Sequence, residues 1–182
     1  MIKKRVVTVE KPDEIAETHV AVFGDSRSGK TALVNRIAHD TYEDKYSQTV
    51  VVGYEFCFDT DKPRPTSIAL YDFVGNRSFN ELRADLNRDL SVALFCFDNS
   101  NPASLEGLEF WKKEIDSYPK KLKQYLVCCK SDQPRAPAIE KALPTWIKSK
   151  NLRMFETSAK TAAGIDLLVK ELLDSAIQPS KR

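Results

Sequence analysis

The strongest chemical signal in the chain is the run Gly24-Asp25-Ser26-Arg27-Ser28-Gly29-Lys30-Thr31. Its spacing is GxxxxGK[ST], which cradles the phosphates of a nucleotide. Glycine lets main-chain N–H groups turn toward an anion with no Cβ in the way. A helix opening at this point aims its positive end at the same anion. Lys30 offers a compact charge to the β- and γ-phosphates, and the Thr31 hydroxyl is a hard oxygen ligand suited to Mg²⁺. The remaining loop residues, with Ala32 behind them, contribute main-chain atoms. The surroundings agree: His19 to Phe23 reads as an apolar strand, and Leu33, Val34, Ile37 and Ala38 as the inner face of a helix.

Such a loop selects phosphates but not a base. Three later segments bear on that choice: Asp72-Phe73-Val74-Gly75, Lys130-Ser131-Asp132 and Glu156-Thr157-Ser158-Ala159-Lys160. In order and spacing they resemble the DxxG, NKxD and ETSAK motifs of the Ras-superfamily small GTPases. The resemblance spans roughly residues 18–177 and looks nearest to the Rab-like branch, which shares the Gly-Asp-Ser opening of the loop. It implies a P-loop NTPase fold of the small-GTPase type, GTP or GDP with Mg²⁺ as ligands, and a role for each matching residue. Asp72 would reach the metal through water, and the Gly75 amide would sense the γ-phosphate. The Asp132 carboxylate would accept from guanine N1 and the exocyclic amine, a donor pair that adenine lacks. The Ala159 amide would face the guanine carbonyl, with Lys130, Ser158 and Lys160 completing the base site. Thr49, nineteen residues after Lys30, has the spacing of the switch threonine that meets metal and γ-phosphate; Thr41 is the alternative. Tyr42 falls where the family often sets an aromatic against the base.

Several positions depart from the family pattern. Asn76 follows DxxG in place of the usual water-orienting Gln, which implies slow hydrolysis. Cys129 replaces the Asn of NKxD, and a thiol is a poor hydrogen-bond partner, so weaker nucleotide retention is expected. Arg27 and Ser28 stand where Gly and Val are common. Arg27 is either a solvent-facing side chain or an internal charge stabiliser of the kind worth roughly 10³–10⁵ in rate. Phe73 and Val74 are expected to make the second switch more apolar.

Strands read at 19–23, 50–58, 66–73, 92–97, 125–129 and 153–157 position these residues, with helices after the loop and at 78–88, 102–117, 137–149 and 165–177. Pro144 interrupts the fourth of these helices awkwardly. Alternating strands and helices predict an α/β fold: a six-stranded, mostly parallel sheet with one antiparallel edge strand and helices on both faces. The GTP-binding domain is expected at 18–178, between an extension at 1–17 and a short tail at 179–182.

With 182 residues the chain suits one domain, and 28 basic against 26 acidic side chains argue against nucleic acid as the main partner. Four cysteines without a CxxC pair argue against a zinc site and for a reducing, cytoplasmic setting. No apolar run is membrane-length, and neither end carries a lipidation signal, so no direct membrane anchor is visible. Two functions fit. One is a GTP/GDP switch in signalling or intracellular transport, met by an effector, an exchange factor and an activating protein. The other is a constitutively nucleotide-bound module, alone or in a larger complex.

Overall fold

The computed structural model describes residues 4–5, 16–45, 53–59, 66–73, 75, 90–118 and 121–176. Among these residues seven strands form one sheet: β1 (Lys4–Arg5), β2 (Ala16–Phe23), β3 (Gly53–Asp59), β4 (Thr66–Asp72), β5 (Val92–Asp98), β6 (Lys123–Cys129) and β7 (Arg153–Glu156). Their order is β1-β3-β4-β2-β5-β6-β7. The stretch β4-β2-β5-β6-β7 is parallel throughout, and β3 runs antiparallel to β4.

This departs from the expected six strands by one. Lys4 and Arg5 pair antiparallel with Asp59 and Phe58, so β3 is flanked on its outer side and β1 is the edge. Part of the expected 1–17 extension is therefore sheet, and β2 starts at Ala16 instead of His19. The expected helix at 78–88 and the 179–182 tail lie outside the described residues.

Central strands explain the two-layer packing. All seven residues of β5 are buried, which is what a parallel strand covered on both faces requires. Along β2 the side chains alternate. Val20 and Val22 join a core with Leu33, Val34 and Ile37 of α1 (Lys30–His39) and with Leu168, Val169 and Leu172 of α5 (Ile165–Ala176). Ala21 and Phe23 face the opposite core, closed by Leu105 of α2 (Pro102–Glu106), Leu108, Trp111 and Ile115 of α3 (Leu108–Asp116), and Ile139 and Leu143 of α4 (Pro137–Lys150).

The single helix expected over 102–117 is two, meeting at Gly107. Asn101 caps the first by accepting from the Ala103 N–H at 3.2 Å, with Pro102 at the first helical position. Pro144 does not end α4; it sits on the exposed side of a continuous helix. Phe73 also differs from expectation. It is buried and stacks on Phe23 with ring centroids 5.1 Å apart, so its apolar surface belongs to the core and not to a switch face.

Candidate functional site

The carboxyl ends of β2, β4, β5 and β6 converge on one side of the sheet, where ligands of open α/β folds bind. Phe23 ends β2, and the chain turns through Gly24 to Gly29, which precedes the first turn of α1. Gly24 has φ +144°, and a Cβ there would lie 2.2 Å from the Cys96 carbonyl oxygen. The loop is thus pressed against β5, and Lys30 Nζ donates to the Asp25 carbonyl oxygen at 2.9 Å, curling the loop around the ammonium. Burial pulls the Lys30 pKa below the ordinary lysine value, with the Asp72 carboxylate opposing that pull. A bound anion would favour the charged form that burial disfavours.

Thr31 Oγ1 donates to Asp72 Oδ2 at 2.6 Å, bringing the first motif and the end of β4 together. A hydroxyl and a carboxylate are hard oxygen donors that suit Mg²⁺, an ion that keeps several waters and needs few protein ligands. Among the described residues no group of three or more His, Cys, Asp or Glu comes together. Gly75 comes close as well: a Cβ on it would lie 2.5 Å from the Ser26 nitrogen and 2.8 Å from Lys30 Nζ.

The far end is built from two loops. Ser158 Oγ donates to Asp132 Oδ1 at 2.6 Å and accepts from the Thr161 N–H at 3.1 Å. The Ser131 N–H donates to the Thr157 carbonyl oxygen at 3.0 Å, so the segment after β6 and the segment after β7 are zipped together. Between the two ends runs a cleft of about 580 Å³, lined by Ser26, Arg27, Gly29, Lys30, Thr31, Ala32, Tyr42, Gly75, Lys130, Asp132, Ala159 and Lys160 among others. Gly24, Asp25, Ser28, Asp72 and Ser158 stand behind that lining and hold it. Thr49 and Asn76 lie outside the described residues. Tyr42 donates to Asp44 Oδ1 at 2.6 Å, a bond that does most to push the phenol's pKa up to about 12.

Cys129 packs under the loop: its Cβ is 2.9 Å from where a Cβ on Gly29 would be. Lys130 bridges to the loop: its Nζ donates to the Arg27 carbonyl oxygen at 3.1 Å and to Asp98 Oδ2 at 2.5 Å. Burial pushes the Asp98 pKa up, but the bonds from Lys130 and Ser100 outweigh it and leave the carboxyl below its ordinary value. Asp98, Trp111 and Arg36 were missed by sequence reasoning. Trp111 Nε1 donates to Asp25 Oδ1 at 2.9 Å from a fully buried position.

Arg27 is exposed and has φ +66°, a left-handed conformation that costs a side-chain-bearing residue about 1–2 kcal/mol. Arg27→Gly is expected to raise stability by about 0.5–1 kcal/mol, the relief of strain less the added freedom of the unfolded chain. Urea unfolding measures it, and a less stable variant would show that contacts of the Arg27 side chain outweigh the strain.

The sequence matches the Ras family over residues 19–178. It is similar to the Rho-related GTP-binding protein RhoE of Homo sapiens, 34% identical over 126 residues that cover 69% of this chain and 51% of RhoE. It is similar to the Ras-related protein Rab-18 of Lymnaea stagnalis, 24% identical over 172 residues, 93% of this chain and 85% of that protein. The Rho-related GTP-binding protein RhoD of Homo sapiens is 30% identical over 124 residues, 68% of this chain and 59% of RhoD. The chain spans about half the length of the RhoE proteins it matches. Rho-related and Rab-related proteins both stand among these relatives, which widens the expected Rab-like branch to the family as a whole.

Proposed function

The chain belongs to the Ras family, and from that membership we propose that it is a small GTPase that binds GTP and GDP with Mg²⁺ and acts as a molecular switch. The observation that carries this reading is the pairing of two subsites in one cleft. Lys30, with Thr31 bonded to Asp72, stands at one end, and Asp132, held by Ser158, stands at the other. The first subsite suits a di- or triphosphate. The second presents a fixed carboxylate acceptor to the two donors on guanine. Thr31 and Asp72 would hold Mg²⁺, which supplies positive charge to the phosphates when bound. Lys30 and the main-chain amides of the loop would hold the phosphates, and the Gly75 segment would respond to whether a third phosphate is present.

The test is equilibrium titration of the purified chain with GDP, GTP and ATP in excess Mg²⁺. Selective binding of the guanosine phosphates supports the reading; a folded sample that binds none of them, or binds ATP equally well, overturns it. On this reading an effector, an exchange factor and an activating protein are the partners, the setting is cytoplasmic, and the process is signalling or intracellular transport.

Hydrolysis is proposed to be slow, because Asn76 is one methylene shorter than the Gln that orients water in the family. Asn76→Gln is expected to accelerate single-turnover hydrolysis of bound GTP by about 10- to 100-fold, since misplacing a reacting group by about 1 Å costs on the order of 10²-fold. An Asn76→Gln variant that is no faster would sink the claim. A second reading, a module that holds nucleotide without switching, is favoured by Asn76 in place of the water-orienting Gln. Amide exchange compared between GDP and a GTP analogue separates them, since only a switch changes protection around Gly75.

A further inference from the structure

Arg36 belongs to none of the recognised motifs, yet it reaches the base end of the cleft from α1. Its Nε donates to the Ala159 carbonyl oxygen at 2.6 Å. Its Nη1 donates to the Asp40 carbonyl oxygen at 2.7 Å and to Asp40 Oδ1 at 3.0 Å. The side chain is only 14% exposed, whereas that of Asp40 is 73% exposed. Asp40 closes α1 in a left-handed conformation, φ +57°, and the chain then leads directly to Tyr42 in the cleft wall. One guanidinium therefore fastens the 158–160 turn to the end of α1, using donors that point in fixed directions.

The two arms of the base site have different anchors. Asp132 is held by Ser158. The peptide plane that follows Ala159 is held by Arg36 through a charge-assisted bond, a stronger class than a neutral one. We propose that Arg36 is a positioning residue for base recognition, setting the Ala159 amide against the six-position carbonyl of guanine without touching the base. This rests on the cleft being a guanine-nucleotide site.

The test uses the full chain with Mg²⁺ and displacement of a fluorescent GDP analogue by GDP, 6-thio-GDP and IDP. 6-Thio-GDP weakens the carbonyl acceptor that Ala159 would meet, whereas IDP removes the amine that Asp132 would meet. The wild-type protein is expected to prefer GDP over 6-thio-GDP by about two- to tenfold, the worth of one hydrogen bond. Arg36→Ala is expected to lose that preference while its preference for GDP over IDP stays within about twofold of wild type, because removing one anchor leaves the other arm's bonds intact. Arg36→Lys, which keeps a charged donor without the fork, recovers part of it. If Arg36→Ala does not fold, Arg36→Gln supplies the same comparison.

An unchanged GDP to 6-thio-GDP ratio in the variants overturns the inference. So does a wild-type protein with no such preference, or a fall of both ratios together, which would mark general loosening of the site. A wild-type protein that binds no guanosine phosphate is a different result, since it removes the proposed function itself.

Discussion

Asp132→Ala is expected to weaken GDP binding by about two to four orders of magnitude, because two hydrogen bonds to a charged acceptor are worth about 1.5–3 kcal/mol each. ATP binding should change far less, so the preference for guanosine over adenosine phosphates collapses. The carboxylate is poised for this before any base arrives. Ser158 Oγ, itself fully buried, donates to Oδ1 at 2.6 Å and fixes the rotamer, while Asp132 stands exposed at the cleft wall. An adenine ring in the same place would leave the acceptor facing no donor, and on the proposed reading that unmet pairing would set the selectivity. Titration of GDP and ATP against both proteins measures the effect. A variant that keeps its GDP affinity, or that loses GDP and ATP affinity in equal proportion, would contradict it.

Gly24→Ala is expected to destabilise the fold by about 3–5 kcal/mol, near the upper end of what one substitution does. Two independent faults coincide there. The backbone is at φ +144°, where L side chains are rarely found, and the added Cβ would sit 2.2 Å from the Cys96 carbonyl oxygen, with Ser28 Oγ at 3.0 Å. The first is a conformational cost that no repacking removes. The second is relieved by moving the loop or β5, yet Phe23 just before the loop and Phe95 of β5 pair at that junction within a fully buried core. Domains of this size are stable by about 5–15 kcal/mol, so much of the total is at stake. Urea unfolding should show a lower midpoint at an unchanged slope. A loss below about 1 kcal/mol would mean that the loop can lift off β5 freely.

How much of this was legible depended on whether a feature is contiguous. The phosphate loop spells itself out in eight adjacent residues, and its strand and helix follow from ordinary hydrophobic periodicity. That Asp132 and Ser158 belong together was readable because both lie in short recognisable runs, and the structure joins them by a hydrogen bond. The supporting side chains were not readable. Trp111 meets Asp25 across 86 positions, Lys130 meets Asp98 across 32, and Arg36 meets Ala159 across 123. Nothing local distinguishes these residues from surface or core residues of the same type. Strand β1 was unreadable for another reason: Lys4 and Arg5 are two charged residues with no alternation, and pairing with β3 alone makes them a strand. The break at Gly107 was likewise hidden, since its φ of −58° and ψ of −23° stay within the helical region while the hydrogen-bond ladder shifts.

The contact between Trp111 and Asp25 gives the molecule an optical consequence. The chain has two tryptophans, and this one is wholly enclosed, with its ring N–H fixed on a carboxylate of the loop. Indole emission shifts in colour and intensity with the charge beside that nitrogen. A rearrangement of residues 24–29 therefore changes the fluorescence of the unlabelled protein, and stopped-flow emission can follow the loop in real time without an attached dye.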